Sequence, residues 1–298
     1  MVKTMTKLID GIVVKNKILK KIKENVRNLK EKTNQTPGLA VIVVGSNPAS
    51  KAYIAMKEKA CQEVGIRSQK YQLAPEQGQE ELEKCIEKLN QDQSIHGILL
   101  QLPLPKEFDE QKMLQKINPN KDVDGFHPIN MGKLLIGLDG FKPCTPQGIC
   151  ELLNYYKIET SGKHVVVVGR SNIVGKPIAA MLSQKSNPGN ATVTICHSKS
   201  QNLSKITTKA DILIAAIGKP QFIKKEHINT NTIVIDVGIN RVENSKSEKG
   251  YELVGDVDFE NVKDSCQAIT PVPGGVGPLT IAILLKNTLV AFEKKLEK

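Results

Sequence analysis

Tyr53 and Lys57 stand four residues apart in a stretch with the composition of a helix. An i, i+4 spacing places the phenol and the ammonium on one helical face, within reach of each other. A lysine has a reference pKa of about 10.4, and burial or a nearby cation lowers it toward the range of a useful general base. The pair is therefore a candidate for proton transfer. A surface lysine beside a half-buried tyrosine is the plainer alternative.

A second candidate site begins where the valine-rich strand Val165–Val168 runs into a glycine turn and the start of a helix. The turn reads Gly-x-Ser-x-x-x-Gly instead of the standard Gly-x-Gly-x-x-Gly. Backbone N–H groups and the dipole at such a helix start can bind a pyrophosphate. We predict a dinucleotide site that includes Gly169, Arg170, Ser171 and Gly175.

The loop after the next strand selects between the two nicotinamide cofactors. An Asp or Glu there would bind the ribose 2′-OH of NAD, whereas basic residues suit the 2′-phosphate of NADP. The loop reads Cys-His-Ser-Lys-Ser over Cys196–Ser200 and contains no acid. Together with Arg170 it favours NADP, with His197 and Ser198 as cofactor contacts. Solvent-facing loop residues are the alternative.

The pattern Tyr-x-x-x-Lys also occurs in short-chain dehydrogenases, where it follows the glycine turn within one nucleotide-binding domain. In this chain Tyr53 and Lys57 lie far upstream of Gly169. The order of the two motifs argues against that class.

Two further loops in the first half carry polar groups. Gln101–Pro105 follows the predicted strand Ile95–Leu100, and its prolines end the strand at the carboxyl edge, where open α/β sheets place ligands. Gln101 offers both a donor and an acceptor. The loop Lys121–Phe126 holds two aspartates, and a carboxylate can accept two parallel hydrogen bonds from an amidine-like edge. A plain strand-ending loop and turn-forming aspartates are the alternatives.

Alternating strands and helices position these residues. The first series comprises an amphipathic helix at 14–29, a strand at 39–44, a helix at about 50–64, a strand at about 66–73, a helix at about 79–90 and the strand at 95–100. The second series has strands at 164–168, 192–196, 212–216 and 232–237. Strands that alternate with helices indicate βαβ units, an α/β fold and a mainly parallel sheet.

The region 117–148 is rich in Pro, Gly and Asn and is the best candidate for a domain boundary. A length of 298 residues is also typical of two domains. We therefore predict a domain at 1–146, joined by the C-terminal helix 279–298, and a second domain at 147–278.

Composition excludes several classes of protein. No apolar run approaches the roughly 20 residues of a membrane span, and the N-terminus lacks the apolar core of a secretory signal. Six scattered cysteines and five dispersed histidines favour a reduced, cytoplasmic protein without a bound metal. The net charge of +11 comes with only 4% aromatic residues and no nucleic-acid motif. A solvated lysine surface, or attraction of small polyanions, explains that charge.

Seven collinear segments, which span nearly the whole chain, closely resemble the bifunctional methylenetetrahydrofolate dehydrogenase/methenyltetrahydrofolate cyclohydrolase family. They are Tyr53-x-x-x-Lys57, Gln101–Pro105, Lys121–Phe126, Gly169 to Pro177, Asp236–Asn240, Gly255–Val257 and Thr270–Thr280. The resemblance implies an N-terminal α/β folate-facing domain, a Rossmann-type NADP-binding domain, a cleft between them, and a homodimer formed through the Rossmann domains. It implies reversible oxidation of 5,10-methylenetetrahydrofolate by NADP, then hydrolysis of the methenyl cation to 10-formyltetrahydrofolate.

The resemblance also implies residue roles. Lys57 would activate water, Gln101 would hydrogen-bond to Lys57, Tyr53 would pack against the ligand, and Asp124 would accept hydrogen bonds from the pterin. Further folate contacts would be Leu102, Pro273, Gly274, Gly275 and Gly277. Arg170, Ser171 and Ser198 would bind cofactor phosphate, with Ile239 near the nicotinamide. A monofunctional dehydrogenase and a non-catalytic NADP- or folate-binding regulator are the alternatives.

Overall fold

The computed structural model describes residues 6–46, 48–245, 247 and 250–297, with the backbone alone at 48–52. The chain forms two compact units. The small-sheet unit comprises Asn16–Cys144 and the chain from Ile281 onward. The large-sheet unit comprises the chain up to Lys15 and Thr145–Thr280.

Eleven strands and ten α-helices lie within the described residues. The strands are β1 (Lys7–Leu8), β2 (Gly38–Val44), β3 (Arg67–Leu73), β4 (Gly97–Leu100), β5 (His164–Val168), β6 (Thr192–Cys196), β7 (Ile212–Ala215), β8 (Ile233–Asp236), β9 (Asn240–Glu243), β10 (Tyr251–Val254) and β11 (Ala268–Ile269). The helices are α1 (Gly11–Thr33), α2 (Pro48–Val64), α3 (Gly78–Gln91), α4 (Glu110–Lys116), α5 (Pro128–Leu135), α6 (Cys144–Tyr155), α7 (Gly175–Ser183), α8 (Leu203–Thr207), α9 (Phe259–Val262) and α10 (Gly277–Leu296).

The small-sheet unit is built on a parallel sheet of three strands in the order β3-β2-β4. The central strand β2 is buried along its whole length, as expected for a parallel strand covered on both faces. Its side chains alternate between two hydrophobic clusters. Leu39, Val41 and Val43 pack in the cluster that contains Phe292 of α10, whereas Ala40, Ile42 and Val44 pack with Leu82 of α3.

The large-sheet unit has a six-stranded parallel sheet in the order β1-β11-β8-β7-β5-β6. The α/β class and the parallel sheets predicted from the alternation of elements are confirmed. The sequence analysis did not predict the short strand β1 or the antiparallel hairpin β9–β10. Because β1 pairs with β11, the chain up to Lys15 groups with the large sheet and not with residues 16–144, so the predicted domain limits differ there.

Among the described residues, no helix has the length and apolar character needed to cross a membrane. All six cysteines are free thiols; Cys85 is half-buried and the others are buried.

His96 extends the pairing of β2 and β4 by one position. Its N–H donates to the Gly38 carbonyl at 2.8 Å, and its Nδ1 accepts from the Gly38 N–H at 2.9 Å. Burial, with help from Lys295, Lys121 and Arg67, lowers the pKa of His96 from 6.5 to about 4. Since the folded pKa lies below the unfolded one, the stabilisation by the neutral ring is complete above pH 6.5 and is lost as the pH falls toward 4.

We expect the variant His96→Asn to lose this pH dependence, because Oδ1 of asparagine can accept the Gly38 hydrogen bond without titrating. Between about pH 7.5 and pH 5, the free energy of unfolding of the wild type should fall by about 2 kcal/mol more than that of the variant. Urea unfolding at both pH values measures this difference. An equal change in the free energy of unfolding between the two pH values, for wild type and variant, would contradict the prediction. Asp124 and Asp236, whose raised pKa values act in the opposite direction, cancel in the comparison.

Candidate active site

Lys57 lies on the buried face of α2. Ile54, Lys57, Cys61 and Val64 recur at helical spacing and are at most 4% exposed, so a lysine occupies one position of an otherwise apolar stripe. The Lys57 Nζ is 4.4 Å from the centre of the Tyr53 ring, which agrees with the proximity predicted from their spacing. A buried ammonium requires compensation, and the structure provides it through polar neighbours.

Gln101 is the first of these neighbours. The Lys57 Nζ donates to the Gln101 Oε1 at 3.0 Å, and the Gln101 Nε2 donates to the Leu102 carbonyl at 2.7 Å. Because the Leu102 carbonyl requires a donor, the Nε2 end of the amide faces it and the Oε1 end faces the lysine. Gln101 follows β4, and its own N–H donates to the Ile42 carbonyl at 2.9 Å, so the backbone that carries the amide is anchored to β2.

The two aspartates of the loop 121–126 have different functions. Asp122 is 2% exposed and accepts hydrogen bonds from the N–H groups of Gly125, Phe126 and His127, and from the Asn130 amide. Asp122 is therefore the turn-forming residue. Asp124 is the aspartate of this loop that remains a candidate for ligand binding. The turn-forming alternative raised for this loop thus applies to Asp122.

Lys57 and Asp124 are electrostatic neighbours in a poorly solvated site. Burial lowers the pKa of Lys57, and the charge of Asp124 opposes this effect. Burial raises the pKa of Asp124 to about 6, and Lys57 opposes it in turn. Each group thus favours the charged form of the other, against the effect of burial. A small environmental change, such as a bound cation, is therefore able to move a proton on or off the lysine.

Cys144 and Asn287 support this site, and the sequence analysis did not single them out. The Cys144 thiol is buried beside Asp124, and it donates to the Val123 carbonyl at 3.4 Å. The Asn287 Nδ2 donates to the same carbonyl at 2.8 Å. The available signal was a lone asparagine within the apolar helix α10, where Asn287 is only 4% exposed.

In the large-sheet unit, the glycine turn after β5 is closely packed. Gly169 has a φ of 137°, and a Cβ there would lie 2.0 Å from the Ala216 carbonyl oxygen. A Cβ on Gly175, the first residue of α7, would lie 2.2 Å from the Gly169 carbonyl oxygen. The strand end and the helix start are thus in direct backbone contact, which is the packing role of glycine in a dinucleotide-binding turn.

Ser171 caps this turn. Its Oγ accepts from the Val174 N–H at 3.1 Å and from the Gly175 N–H at 3.3 Å. The hydroxyl hydrogen is left for an acceptor such as a phosphate oxygen. Arg170 is exposed beside it.

His197 and Ser198 form a turn after β6. The His197 Nδ1 accepts from the Lys199 N–H at 3.2 Å, and the His197 N–H donates to the Ser200 Oγ at 2.9 Å. Ser198 and Lys199 are exposed at the tip. These groups and the turn at Gly169 follow neighbouring parallel strands, so both loops lie at the carboxyl edge of the sheet. The donors and cations present fit the phosphates of a dinucleotide.

Two buried aspartates at the same edge were not assigned a role from the sequence. Asp256 is 0% exposed and accepts from the N–H groups of Ile217, Gly218 and Lys219. Asp236 accepts from three backbone N–H groups of its own, and burial raises its pKa to about 7. The signal in the sequence was an acid at the end of β8 and another in the segment Gly255–Val257.

The loop 270–278 is anchored near the start of α1. The Gly11 N–H donates to the Gly274 carbonyl at 2.9 Å. Gly277 lies against Ile239, since a Cβ there would be 2.7 Å from the Ile239 Cδ1. Gly277 and Ile239 are therefore neighbours. The resemblance predicts that they contact different ligands, Gly277 the folate and Ile239 the nicotinamide. Pro273 and Gly275 belong to the same loop.

We expect Gly175→Ala to weaken NADP binding, because the added methyl group would separate α7 from the Gly169 turn. The expected change is a rise of roughly tenfold in the KM for NADP, with a lower melting temperature. The control is Gly132→Ala in α5, where no atom lies within 4 Å of an added Cβ. A KM within about twofold of wild type for Gly175→Ala would show that this contact can relax.

The large-sheet unit carries a dinucleotide-type turn at the end of a parallel strand. The small-sheet unit carries a buried lysine that donates to an amide at the end of strand β4. This combination is typical of a two-domain nucleotide-dependent enzyme. Residues 143–296 match the family model described as tetrahydrofolate dehydrogenase/cyclohydrolase, NAD(P)-binding domain, and residues 9–124 match that of the catalytic domain. The chain belongs to the tetrahydrofolate dehydrogenase/cyclohydrolase family.

Similar proteins match over almost their full length. The bifunctional protein FolD of Chlamydia caviae is 53% identical over 288 residues, which cover 96% of this chain and 99% of that protein. FolD of Prosthecochloris aestuarii is 54% identical, with coverage of 96% and 98%. Among solved structures, bifunctional FolD of Campylobacter jejuni has a TM-score of 0.91 and 48% identity, with coverage of 97% and 99%. FolD of Trypanosoma brucei, in complex with NADP and an inhibitor, has a TM-score of 0.93 and 38% identity, with coverage of 98% and 99%.

Proposed function

We propose that this protein oxidises 5,10-methylenetetrahydrofolate with NADP and hydrolyses the resulting 5,10-methenyl cation to 10-formyltetrahydrofolate. The observation that carries the proposal is the hydrogen bond between the buried Lys57 and the half-buried Gln101, with Nζ and Oε1 3.0 Å apart. A dehydrogenase alone has no need of such a pair, since hydride transfer requires orientation and no proton-transfer group. Hydrolysis does require one.

The hydrolytic step needs a water activated beside a cationic carbon. The neutral amine of Lys57 accepts a proton from the water while the water oxygen attacks the methenyl carbon. The bond between that carbon and N5 of the folate then breaks as the hydroxyl proton of the adduct passes to N5, which leaves the formyl group on N10, and the Lys57 ammonium releases its proton to solvent. Burial lowers the pKa of Lys57 and favours the neutral amine, and the positive charge of the methenyl group adds to this effect. Gln101 holds the amine at one position through its Oε1.

The remaining site residues position the ligands in this proposal. Tyr53 packs against the folate, and Asp124 accepts hydrogen bonds from its pterin edge. Leu102, Pro273, Gly274, Gly275 and Gly277 supply further folate contacts. Gly169, Arg170, Ser171, Gly175, His197 and Ser198 bind NADP, with Ile239 near the nicotinamide. NADP supplies the hydride acceptor.

The test is an assay of the purified protein with 5,10-methylenetetrahydrofolate and either NADP or NAD, in which reduced cofactor, methenyl product and 10-formyl product are followed together. We expect reduction of NADP with 10-formyl product and little methenyl intermediate. Methenyl product that hydrolyses only at its uncatalysed rate would leave a monofunctional dehydrogenase. No reduction of either cofactor by folded protein would favour the regulator alternative.

We also propose a cytoplasmic homodimer. The edge strand β6 of the large sheet presents Ile195, which is 40% exposed and therefore available to a second copy. The free thiols suit a reducing compartment. Analytical ultracentrifugation should give twice the chain mass of 32.7 kDa. A monomer at micromolar concentration would contradict the dimer, and a protein found outside the cytoplasm after cell fractionation would contradict the location.

A further inference from the structure

A cavity of about 670 Å³ lies within the small-sheet unit, at the edge opposite the Lys57–Gln101 pair. His96, which lines it, precedes the first residue of β4, whereas Gln101 follows the last one. The strand between them has four residues, or roughly 13 Å. The cavity therefore lies outside the candidate active site, and the proposed reactions make no use of it.

The walls of the cavity carry more basic than acidic side chains. Four lysines line it, together with two carboxylates, Asp139 and Glu297. Asp139 is 99% exposed and lies 3.7 Å from the Lys294 Nζ, so this surface ion pair compensates little of the positive charge. The four lysines are Lys121, Lys133, Lys294 and Lys295.

Two of the lysines are held in place by the backbone. The Lys121 Nζ donates to the Leu89 carbonyl at 2.9 Å and to the Asp92 carbonyl at 2.8 Å, and the Lys295 Nζ donates to the Gln93 carbonyl. An ammonium has three donors, so each group keeps at least one N–H for another acceptor. Burial lowers the pKa of Lys121, the charge of Asp92 opposes this effect, and the charge of Lys295 adds to it.

His96 adds a buried donor without a hydrogen-bond partner. Its Nδ1 accepts from the Gly38 N–H, so the proton of the neutral ring is on Nε2. That Nε2 has no hydrogen-bond partner, and the residue is only 5% exposed. Its ring packs edge-on against Phe292, with centroids 4.8 Å apart. A buried donor left unpaired is costly, and this one belongs to a residue of the cavity wall.

We propose that this cavity is a binding site for a small oligoanion with two or more carboxylate or phosphate groups. Its volume lies within the range of small-molecule sites. An oligoanion would neutralise ammonium groups that the fold already brings together, so little ordering is needed on binding. The positive charge of the chain would also attract such a ligand.

Calorimetric titration of the full chain with citrate and with pyrophosphate tests the proposal, at constant ionic strength and with NADP present to fill the dinucleotide site. The test variant is Lys133→Gln/Lys294→Gln, which removes two charges and leaves the carbonyl-bound Lys121 and Lys295 in place. The control is Lys20→Gln/Lys23→Gln, which removes two exposed charges of α1 that do not line the cavity.

We expect saturable binding of at least one probe, weakened by roughly tenfold or more in the cavity variant and by less than about twofold in the control. The probe that binds distinguishes a carboxylate from a phosphate ligand. Absence of saturable binding for both probes would overturn the proposal. Equal weakening in the two variants would also overturn it, because the effect would then follow net charge alone.

Discussion

Replacing Lys57 with methionine is expected to abolish hydrolysis of 5,10-methenyltetrahydrofolate while part of the dehydrogenase activity remains. The lysine Nζ and the Gln101 Oε1 are 3.0 Å apart, in a site where burial lowers the pKa of the amine. Methionine has a similar length and fits the apolar stripe of α2, but it can neither accept a proton nor donate to Gln101. A general base contributes roughly 10²–10⁴-fold, so the hydrolysis rate should fall by about a thousandfold.

The two activities must be measured separately for this variant. Methenyl product should accumulate stoichiometrically with reduced NADP, because hydride transfer does not require the amine. The control is Lys59→Met, which alters an exposed lysine on the same helix. A folded Lys57→Met protein that has lost both activities equally would contradict this division of roles. The lysine would then be needed to bind the substrate for both reactions.

Replacing Asp256 with alanine should cause the largest loss of stability among the variants considered. The buried carboxylate accepts from the N–H groups of Ile217, Gly218 and Lys219 at 2.6, 2.9 and 3.0 Å, and from the Asn240 amide at 2.9 Å. Alanine would leave three backbone donors without their acceptor, and the Asn240 amide would keep only the Val254 carbonyl, at 3.5 Å. We expect a decrease of about 3–5 kcal/mol in the free energy of unfolding.

The same substitution should weaken NADP binding. The three N–H groups follow Ala216, whose carbonyl contacts the Gly169 turn, so release of this segment would disturb the predicted dinucleotide site. The KM for NADP should rise by roughly tenfold or more.

Urea unfolding and initial-rate kinetics measure the two effects of Asp256→Ala, with the exposed Asp264→Ala as a control. The conservative variant Asp256→Asn retains one acceptor oxygen and should fall between wild type and alanine. If stability stays within about 0.5 kcal/mol of wild type, the loop would be held by other contacts and the argument would be wrong.

Much of the fold follows from local patterns in the sequence. The apolar run of β2 predicts a buried parallel strand, and the valines of β5 before Gly169 predict a strand and a glycine turn. The proximity of Tyr53 and Lys57 also needs only the helical period, because residues four apart share a face. These features depend on neighbours along the chain, which are visible in any single stretch of sequence.

The hydrogen bond between Lys57 and Gln101 could not be derived from local patterns. The two residues are 44 positions apart and meet only because α2 and the end of β4 fold together. The sequence analysis took this pairing from the resemblance. The residue types in the loop 121–126 likewise do not show which of its two aspartates forms the turn. The hydrogen bonds of Asp122 in the structure identify it as that residue.

Local patterns in the sequence establish the α/β class, the order of most strands and helices and the dinucleotide-type turn, and they suggest candidate residues for both sites. Contacts between distant segments reveal that the chain up to Lys15 joins the large sheet, that Asp256 holds the loop after β7, and that His96 lies in the wall of a cavity lined by lysines. Helix and strand periods act between near neighbours, whereas strand order, buried carboxylate contacts and cavities arise between segments far apart in the chain.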